Sequence, residues 1–325
     1  MTVKIKTDLL VIGAGAGGLS VAAGAAQLGI KVALLEGDKM GGDCLNYGCV
    51  PSKALIAFSN QRKPKQFNNA MGFVRDAINE IEPHDSEDRF RSLGVNVIRE
   101  YGQFVNETTV AAGAYEIQSR RIVIATGVHT PVPDISGLSG VQYHTNQTIF
   151  DLTKKPEHLL VLGGGPVGVE LAQAFARLGV NVTIFEKRKL LSNFSREQVE
   201  ILKGSLVEDG VSLKEDACVN KISEVDGKLL VQLKNDNKIT GSHLLVATGK
   251  KPNLQNLNLL AAGISYSDIG IETDQYLRTN NKRIYAIGDV VQFENFTNVA
   301  NYHAGIVLKS ITTGLKTRVQ TETHP

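Results

Sequence analysis

Two stretches of the chain repeat one pattern of apolar and polar positions. In each, an apolar run enters a glycine-rich turn, a segment of small and apolar residues follows, and a second apolar run ends in glutamate. Continuous apolar runs are typical of parallel strands buried on both faces, and the segment between them is predicted to be a helix. The first copy has strand 6–12, a helix to about Leu28 and strand 31–35; the second has strand 159–162, a helix to about Leu178 and strand 181–185.

Each copy later closes with a strand that ends in Ala-Thr-Gly, at 125–127 and at 247–249. Between the copies, 54–82 is predicted to be helical with a basic turn at 62–65, and 95–125 predicts a small antiparallel excursion before the closing strand. The repeated strand–helix–strand units predict an α/β protein with two three-layer, Rossmann-like dinucleotide-binding domains.

The glycine-rich turns follow the pattern G-x-G-x-x-G. The first two glycines allow a tight turn and a close approach to a pyrophosphate, and the third allows helix and strand to pack closely. The helix N-terminus then offers N–H groups and a positive dipole end to phosphates. One such pattern is weak, but two copies, each with a glutamate 23 positions after the first glycine, are specific. The glycines are Gly13, Gly15 and Gly18 in the first copy and Gly163, Gly165 and Gly168 in the second.

Glu36 and Glu186 end the second strands and are predicted to accept hydrogen bonds from an adenosine ribose. A carboxylate at this place repels a 2′-phosphate, so Glu186 favours NADH over NADPH. Lys187 and Arg188 follow directly and could accommodate part of a phosphate charge, which leaves NADP open as the less favoured nucleotide.

Cys44 and Cys49 lie five positions apart, just after the first copy. A disulfide that closes so short a loop stabilises a fold little, whereas it can open and close with little backbone movement. A zinc site would need two more soft ligands, and the only other cysteine is Cys218, so no metal site is expected. Two inert thiols in a reducing compartment are the remaining alternative. The spacing favours a redox-active dithiol.

The run from Cys44 to Lys53, C-L-N-Y-G-C-V-P-S-K, resembles the active-site signature of the class I pyridine nucleotide-disulfide oxidoreductases. That family includes dihydrolipoyl dehydrogenase, glutathione reductase and mercuric reductase. The resemblance implies FAD in the first copy, beside the dithiol, and a nicotinamide nucleotide in the second. Cys49 would be the thiol nearest the flavin, and Cys44 the exchange thiol that faces the substrate. Lys53 and Glu170 would form an ion pair next to the flavin N5.

The segment 279–289 resembles a second FAD-binding signature of the family, which implies that Asp289 binds a ribityl hydroxyl of the flavin. The same resemblance adds the remaining nucleotide-binding residues: Thr126, Gly127 and Thr297 for FAD, and Gly249 for NAD. The FAD domain is therefore expected to be discontinuous, formed by 1–150 and 276–325, with the NAD(P) domain 151–275 inserted.

Three departures from the family pattern matter. Pro166 stands where relatives often carry an aromatic lid over the nicotinamide pocket, and Asp43, which replaces a common threonine, would oppose thiolate formation at Cys44. After a helix predicted over 297–314 the sequence ends in a polar tail with His324, and the interface domain of the family is expected to be absent from this chain. We therefore expect a fragment that lets NADH reduce artificial acceptors but reduces physiological disulfides poorly. A homodimer is expected only for a full-length form.

Composition fits a soluble enzyme. The 325 residues suffice for about two domains, and the net charge of +2 comes from scattered residues, which indicates neither a nucleic-acid surface nor a membrane partner. Three cysteines favour a reducing, cytoplasmic location. The expected function is NAD(P)H-dependent reduction, through FAD and the dithiol, of a small disulfide (lipoyl-like) or of Hg(II). The alternative is a non-catalytic, nucleotide-binding redox sensor that uses the dithiol as a switch.

Overall fold

The structure is a computed structural model that describes residues 2–61, 66–291 and 297–320. The basic turn at 62–65, Phe296 and the tail with His324 lie outside the described residues. Within them, the helices are α1 Ala16–Gln27, α2 Gly42–Asn46, α3 Cys49–Ser59, α4 Phe67–Asp85, α5 Glu87–Ser92, α6 Pro166–Arg177, α7 Arg196–Glu208 and α8 Thr297–Thr313. Short 3-10 turns occupy Leu138–Gly140, Ile149–Asp151, Leu259–Ala262 and Gly288–Val290.

The strands of the described residues, in chain order, are β1 Val3–Ile12, β2 Val32–Leu35, β3 Asn96–Ile98, β4 Gln103–Asn106, β5 Thr109–Ala112, β6 Tyr115–Ile124, β7 Val128–His129, β8 His158–Leu162, β9 Asn181–Phe185, β10 Val211–Lys214, β11 Val219–Val225, β12 Lys228–Leu233, β13 Lys238–Gly241, β14 His243–Val246, β15 Lys251–Pro252, β16 Tyr266–Ser267, β17 Gly270–Ile271 and β18 Ile284–Ala286.

The chain divides into two compact units. Unit 1 comprises Met1–Asn46, Glu80–His129 and Lys251–Pro325, and unit 2 comprises Tyr47–Asn79 and Thr130–Lys250. This division differs from the expected domains because 47–79 and 130–150 join the second unit, and 251–275 joins the first. Cys44 and Cys49 consequently belong to different units. The assignment of a nucleotide to each domain stays a prediction.

Unit 1 is built on one mixed sheet in the order β3-β2-β1-β6-β5-β4. Strand β6 is long: its first half pairs antiparallel with β5, and its second half pairs parallel with β18. The run of β1 is apolar at every position near its end because successive residues enter different cores. Leu9 and Val11 face the cluster that contains α1 and α8, whereas Leu10 and Ile12 face the cluster of the antiparallel excursion. Both faces of the sheet are therefore covered.

Unit 2 repeats this plan with a parallel sheet in the order β10-β9-β8-β14. Leu159 and Val161 of β8 pack with helices, including α6 and α7, and Leu160 and Leu162 pack under the antiparallel sheet β11-β12-β13. In both units the closing strand lies beside the first strand. The predicted α/β fold with two Rossmann-type sheets is thus confirmed. Among the described helices, none combines the length and the apolar composition needed to cross a bilayer.

Candidate active site

The carboxyl edge of the first sheet gathers most of the residues predicted to hold FAD. Ile12 is in register with Leu35 and with Ile124, and Ile124 is in register with Ala286. The segments that follow these four strand ends therefore emerge at one edge. They carry the glycine turn Gly13-Ala14-Gly15, Glu36, the pair Thr126-Gly127, and Asp289 in the 3-10 turn after β18. Thr297 begins α8.

The second sheet gathers the residues predicted to hold NAD in the same way. Leu162 is in register with Phe185 and with Val246, so the second glycine turn, Glu186 and Gly249 follow neighbouring strand ends of unit 2. Ligands of open α/β sheets bind at the carboxyl ends of the strands. Each unit thus presents one such edge with a complete set of predicted residues.

The first glycine of each turn is required by backbone geometry. Gly13 has φ +104° and Gly163 has φ +107°, conformations that residues with side chains rarely adopt. A Cβ on Gly13 would lie 2.4 Å from the Ala125 carbonyl oxygen, and one on Gly163 would lie 2.3 Å from that of Ala247. The Ala-Thr-Gly segments therefore pack directly against the glycine turns, which explains why the two motifs recur together.

The other two glycines of each turn serve packing and access. A Cβ on Gly18 or Gly168 would lie about 2 Å (1.9 and 2.1 Å) from the carbonyl oxygen of Gly13 or Gly163. In contrast, a Cβ on Gly15 or Gly165 would meet no atom within 4 Å. The second glycine therefore borders open space at the start of the helix.

This open space fits a dinucleotide. Gly15 and Gly165 begin α1 and α6 without a side-chain cap, and neither helix has an acidic residue in its first turn. Added side chains on Gly127 and Gly249 would also enter open space. Each edge is therefore a glycine-lined cradle with an uncapped helix N-terminus, which is the environment that a pyrophosphate needs.

The two glutamates make equivalent contacts. The N–H groups of Ala14 and Asp38 donate to Glu36 at 2.6 and 2.8 Å. Those of Gly164 and Arg188 donate to Glu186 at 2.7 and 2.9 Å. Each carboxylate thus ties the loop that follows it to the glycine turn and keeps further lone pairs for a ribose hydroxyl. Burial raises the pKa of the Glu36 carboxyl above its ordinary value, although the two N–H donors lower it.

The loops after the glutamates differ in charge. In the first copy, Gly37 follows Glu36, and a Cβ there would lie 2.5 Å from the Tyr101 ring. In the second copy the equivalent positions are Lys187 and Arg188, both exposed. The neighbouring Lys189 pairs with Asp216 at 2.5 Å. Two cations thus follow Glu186, whereas Glu36 is followed by Gly37, where a side chain has no room, and by the acidic Asp38.

Five positions after each glutamate, the loop returns to the glycine turn. Gly41 N–H donates to the Ala14 carbonyl, and Leu191 N–H donates to the Gly164 carbonyl, both at 3.0 Å. Both residues have positive φ, +86° at Gly41 and +48° at Leu191. The equivalence of a glycine and a leucine is not visible in the sequence, because leucine rarely takes this conformation.

The first half of the dithiol segment lies against the first glycine turn. A Cβ on Gly42 would lie 2.7 Å from the Gly15 Cα. Cys44 follows in α2, and Asn46 Nδ2 donates to the carbonyls of Met40 and Gly42 at 2.9 and 3.0 Å. Within unit 1, the Cys44 segment and the open cradle are therefore neighbours.

Cys49 and Lys53 lie on α3, in unit 2. Cys49 is the first residue of this 11-residue helix, where the dipole favours negative charge. Lys53 Nζ lies 2.9 Å from both carboxylate oxygens of Glu170 on α6. The predicted ion pair is present. The side chains are 61% and 36% exposed, so this pair contributes only about 0–1 kcal/mol to stability.

A cleft of about 250 Å³ lies beside this ion pair in unit 2. Pro166 and Glu170 of α6 form one wall, and the loop and start of α7 supply Leu191, Phe194 and Gln198. The cleft is mostly apolar. Phe194 is half exposed at 51% and is an aromatic side chain in the same cleft as Pro166.

Asn253 is a residue of this sheet edge that the sequence analysis missed. Its Nδ2 donates to the Thr126 carbonyl at 2.8 Å, its Oδ1 lies 2.7 Å from His129 Nδ1, and its carbonyl accepts from the Thr126 hydroxyl at 2.9 Å. Asn253 thus holds the first Ala-Thr-Gly segment at the sheet edge. In the sequence, the run Lys-Lys-Pro-Asn directly after the second Ala-Thr-Gly could have drawn attention to Asn253.

Comparison with known proteins agrees with this arrangement. The family model described as pyridine nucleotide-disulphide oxidoreductase matches residues 7–306. A mercuric reductase of Bacillus cereus is 36% identical over 98% of this chain and 54% of its own length. A dihydrolipoyl dehydrogenase of Staphylococcus aureus is 32% identical over 94% of this chain and 70% of its own length.

Among solved structures, the HOCl-induced flavoprotein disulfide reductase RclA from Escherichia coli, as its Cu(II) complex, is similar with a TM-score of 0.91 and 29% identity. That match covers 97% of this chain and 73% of RclA. The chain spans 54% and 62% of the length of the mercuric reductases of Bacillus cereus and Lysinibacillus sphaericus.

Proposed function

Because this chain belongs to the pyridine nucleotide-disulphide oxidoreductase family, we propose that it provides the electron-transfer part of an NADH-dependent, cytoplasmic flavoprotein reductase. The Cys44–Cys49 pair is the redox-active dithiol. The residues 1–150 and 276–325 form the FAD domain, and 151–275 form the NAD domain. The family uses FAD and a nicotinamide dinucleotide, and the two glycine-lined cradles fit one dinucleotide each.

The observation that carries the proposal is the contact between the dithiol segment and the first glycine turn. Gly42 packs on Gly15, and Gly41 N–H is bonded to Ala14. A dinucleotide in the first cradle would therefore lie next to the Cys44 segment, which supports FAD in the first copy and the nicotinamide nucleotide in the second. Asp289 follows a strand end at the same edge, in keeping with a role toward the ribityl chain.

FAD, held by the first glycine turn, Glu36 and Asp289, would supply the two-electron chemistry that links NADH to the Cys44–Cys49 disulfide. Cys49, at the N-terminus of α3, is suited to carry the negative charge of a thiolate. The ammonium of Lys53, held by Glu170, supplies a positive charge where electron density rises. Cys44 is the exchange thiol: its thiolate attacks one sulfur of the acceptor disulfide, and the other sulfur leaves and takes up a proton as the first thiol. Cys49 then attacks the Cys44 sulfur of the mixed disulfide, which releases the second thiol and restores the Cys44–Cys49 disulfide. The sum is NADH + H⁺ + RSSR → NAD⁺ + 2 RSH.

The acceptor is a small disulfide or Hg(II). A disulfide is reduced by thiol exchange and Hg(II) is a soft metal that thiolates bind, so a dithiol suits either acceptor. Relatives of both kinds are similar to this chain. With Hg(II) the same two electrons yield Hg(0), and the thiols that had complexed the metal are released unchanged in oxidation state. Parallel assays with lipoamide and with thiol-complexed Hg(II) separate the two.

Anaerobic titration with NADH tests the proposal. We expect purified, FAD-loaded protein to be yellow, to bleach with NADH and to reduce ferricyanide catalytically. Cys44→Ser should show a long-wavelength absorption without reductant, because the Cys49 thiolate remains beside oxidised flavin, and Cys49→Ser should lack it. Equal spectra in the two variants would contradict the assignment of the thiols. A protein that binds NADH but never reduces an acceptor would instead support the redox-sensor alternative.

A further inference from the structure

Helix α8 contacts both parts of the predicted flavin site in unit 1. Ala300 lies against the phosphate-binding helix, since a Cβ on Gly17 would come within 3.2 Å of the Ala300 carbonyl oxygen. A Cβ on Gly288, in the aspartate turn, would lie 3.2 Å from Ala300 Cβ. Asn301, next along the helix, accepts a hydrogen bond from Ser20 of α1 at 3.0 Å. The first turns of α8 therefore set the spacing between α1 and the aspartate turn.

His303 makes a polar contact from this helix to the aspartate turn. Its ring is 1% exposed, and Nδ1 accepts the N–H of Gly288 at 3.2 Å. An Nδ1 that accepts a hydrogen bond carries no proton, so the ring is held in one neutral tautomer. A buried histidine is used here as a fixed acceptor.

The contact lies where the sheet ends. Ile287 N–H still donates to the Ile124 carbonyl of β6, so Gly288 carries the first N–H beyond the ladder. Gly288 has φ +70°, which turns the chain sharply before Asp289. The last N–H bonded within the sheet is thus that of Ile287, and His303 accepts the next one, from Gly288, just before Asp289.

We propose that His303 is a positioning residue for flavin binding: its Nδ1 holds the Gly288 peptide in the orientation that points Asp289 toward the ribityl chain. The inference rests on the proposed function, because it requires FAD in the first copy. Without the acceptor, the buried Gly288 N–H would lose its partner and the turn would rotate toward another one.

The test is the dissociation constant of FAD, measured by flavin fluorescence on the full chain after removal and re-addition of the cofactor. His303→Leu keeps the volume and removes the acceptor, and it should weaken FAD binding about tenfold or more. His303→Asn places a carbonyl oxygen near the position of Nδ1 and should recover FAD affinity to within about threefold of wild type. Val307→Ala, a fully buried position on the same helix, is the control for lost packing.

Three outcomes would overturn the inference: equal FAD affinity in His303→Leu and wild type, failure of His303→Asn to bind more tightly than His303→Leu, or an equal loss of affinity in Val307→Ala at a matched loss of thermal stability. Each of these leaves the proposed function intact. A wild-type chain that binds no FAD at all would overturn the proposed function and this inference together.

Discussion

The two glycine-turn copies agree closely at the sheet edge and differ in what supports them. Both have a first glycine near φ +105°, an uncapped helix and a glutamate that binds two backbone N–H groups. Behind the first copy, α1 packs on α8 through small residues. A Cβ on Gly24 would lie 2.4 Å from Leu308. Behind the second copy, α6 packs with α3, which brings Lys53 to Glu170.

The two copies share the features that bind a dinucleotide and differ in the helices that support those features. A dinucleotide cradle requires only glycines, a helix end and a carboxylate, and both copies have these. The first copy is backed by the closely packed helices α1 and α8. The second copy is backed by α6 and α3, which carry an exposed ion pair, and it has an open cleft beside that pair. We expect variants to separate the roles of the two copies.

The largest effect should come from the first glycine of each turn. Gly13→Ala and Gly163→Ala each force a side chain into a positive-φ site and within about 2.4 Å of a carbonyl oxygen, at a cost of at least about 2 kcal/mol. We expect Gly13→Ala to lose flavin. Gly163→Ala should retain flavin that NADH no longer reduces. The measurements are the flavin-to-protein ratio and the rate of anaerobic reduction.

Gly204→Ala is the matched control. Gly204 lies in α7, where an added Cβ would meet no atom within 4 Å, so alanine should raise stability by about 0.5–1 kcal/mol. Loss of flavin in Gly163→Ala with retention in Gly13→Ala would reverse the assignment of the two copies.

The second largest effect concerns the ion pair of the second copy. Lys53→Met should change the free energy of unfolding by less than about 1 kcal/mol because the pair is exposed. It should nevertheless slow flavin reduction by NADH about 10- to 100-fold, because the proposed function assigns this charge to the reacting flavin. Stopped-flow absorbance of the flavin measures this rate.

Arg120→Met serves as its control, since Arg120 and Asp8 form an exposed pair in unit 1, 3.4 Å apart. This variant should leave both stability and the reduction rate near those of wild type. If NADH reduced the flavin at equal rates in Lys53→Met and Arg120→Met, the ion pair of Lys53 would have no more effect than an ordinary surface pair.

The sequence predicted the sheet-edge machinery well because that machinery depends on short-range rules. Glycines at fixed spacing, apolar runs and strand-end glutamates placed α1, α6 and most strand ends within a few residues. The ends of other strands and helices depend on residues distant in the chain that pair or pack with them. Strand β1 begins at Val3 rather than Lys6 because Val3 pairs with Tyr115. The helix predicted over 54–82 is two helices, α3 and α4.

The supporting contacts were less predictable. The antiparallel sheet β11-β12-β13 was missed, although Asp226-Gly227, both with positive φ, is a hairpin signal. The ion pair of Lys53 with Glu170 was predicted through family resemblance, not from spacing, since 117 positions separate them. His303 could not be assigned from sequence, because a histidine within an amphipathic helix pattern does not reveal which backbone N–H it accepts.

A smaller effect is expected from the glutamates. Glu186→Gln keeps an oxygen for the Gly164 N–H and removes the charge that repels a 2′-phosphate, so the preference for NADH over NADPH should narrow at least about fivefold. Glu36→Gln, its counterpart, should weaken FAD binding and leave that preference unchanged. The rates of flavin reduction by the two nucleotides give the ratio. Faster reduction of wild type by NADPH would mean that Lys187 and Arg188 outweigh the carboxylate.

The smallest effect is a pH dependence that two histidines give to unit 2. Burial lowers the pKa of His144 and of His243 below the ordinary value of 6.5, and each ring lies near the other, with centroids 5.9 Å apart. His144 belongs to a segment bonded to β14, since its N–H donates to the Leu244 carbonyl at 2.7 Å and its carbonyl accepts from Val246 at 2.8 Å. Protonation of these rings therefore acts directly on the edge of the second sheet.

The sign of this dependence follows from proton linkage. The unfolded chain binds protons at these histidines more tightly than the folded chain, so the stability they contribute is complete above pH 6.5 and is lost as the pH falls below it. Between pH 7.5 and 5.5, hydrogen exchange should accelerate more in peptides of β14 than in peptides of β1. His243→Gln cannot take up a proton and should lose less thermal stability than wild type over the same range. Equal acceleration in β14 and β1, or an equal acid loss in His243→Gln and wild type, would show that the two units share one response to acid.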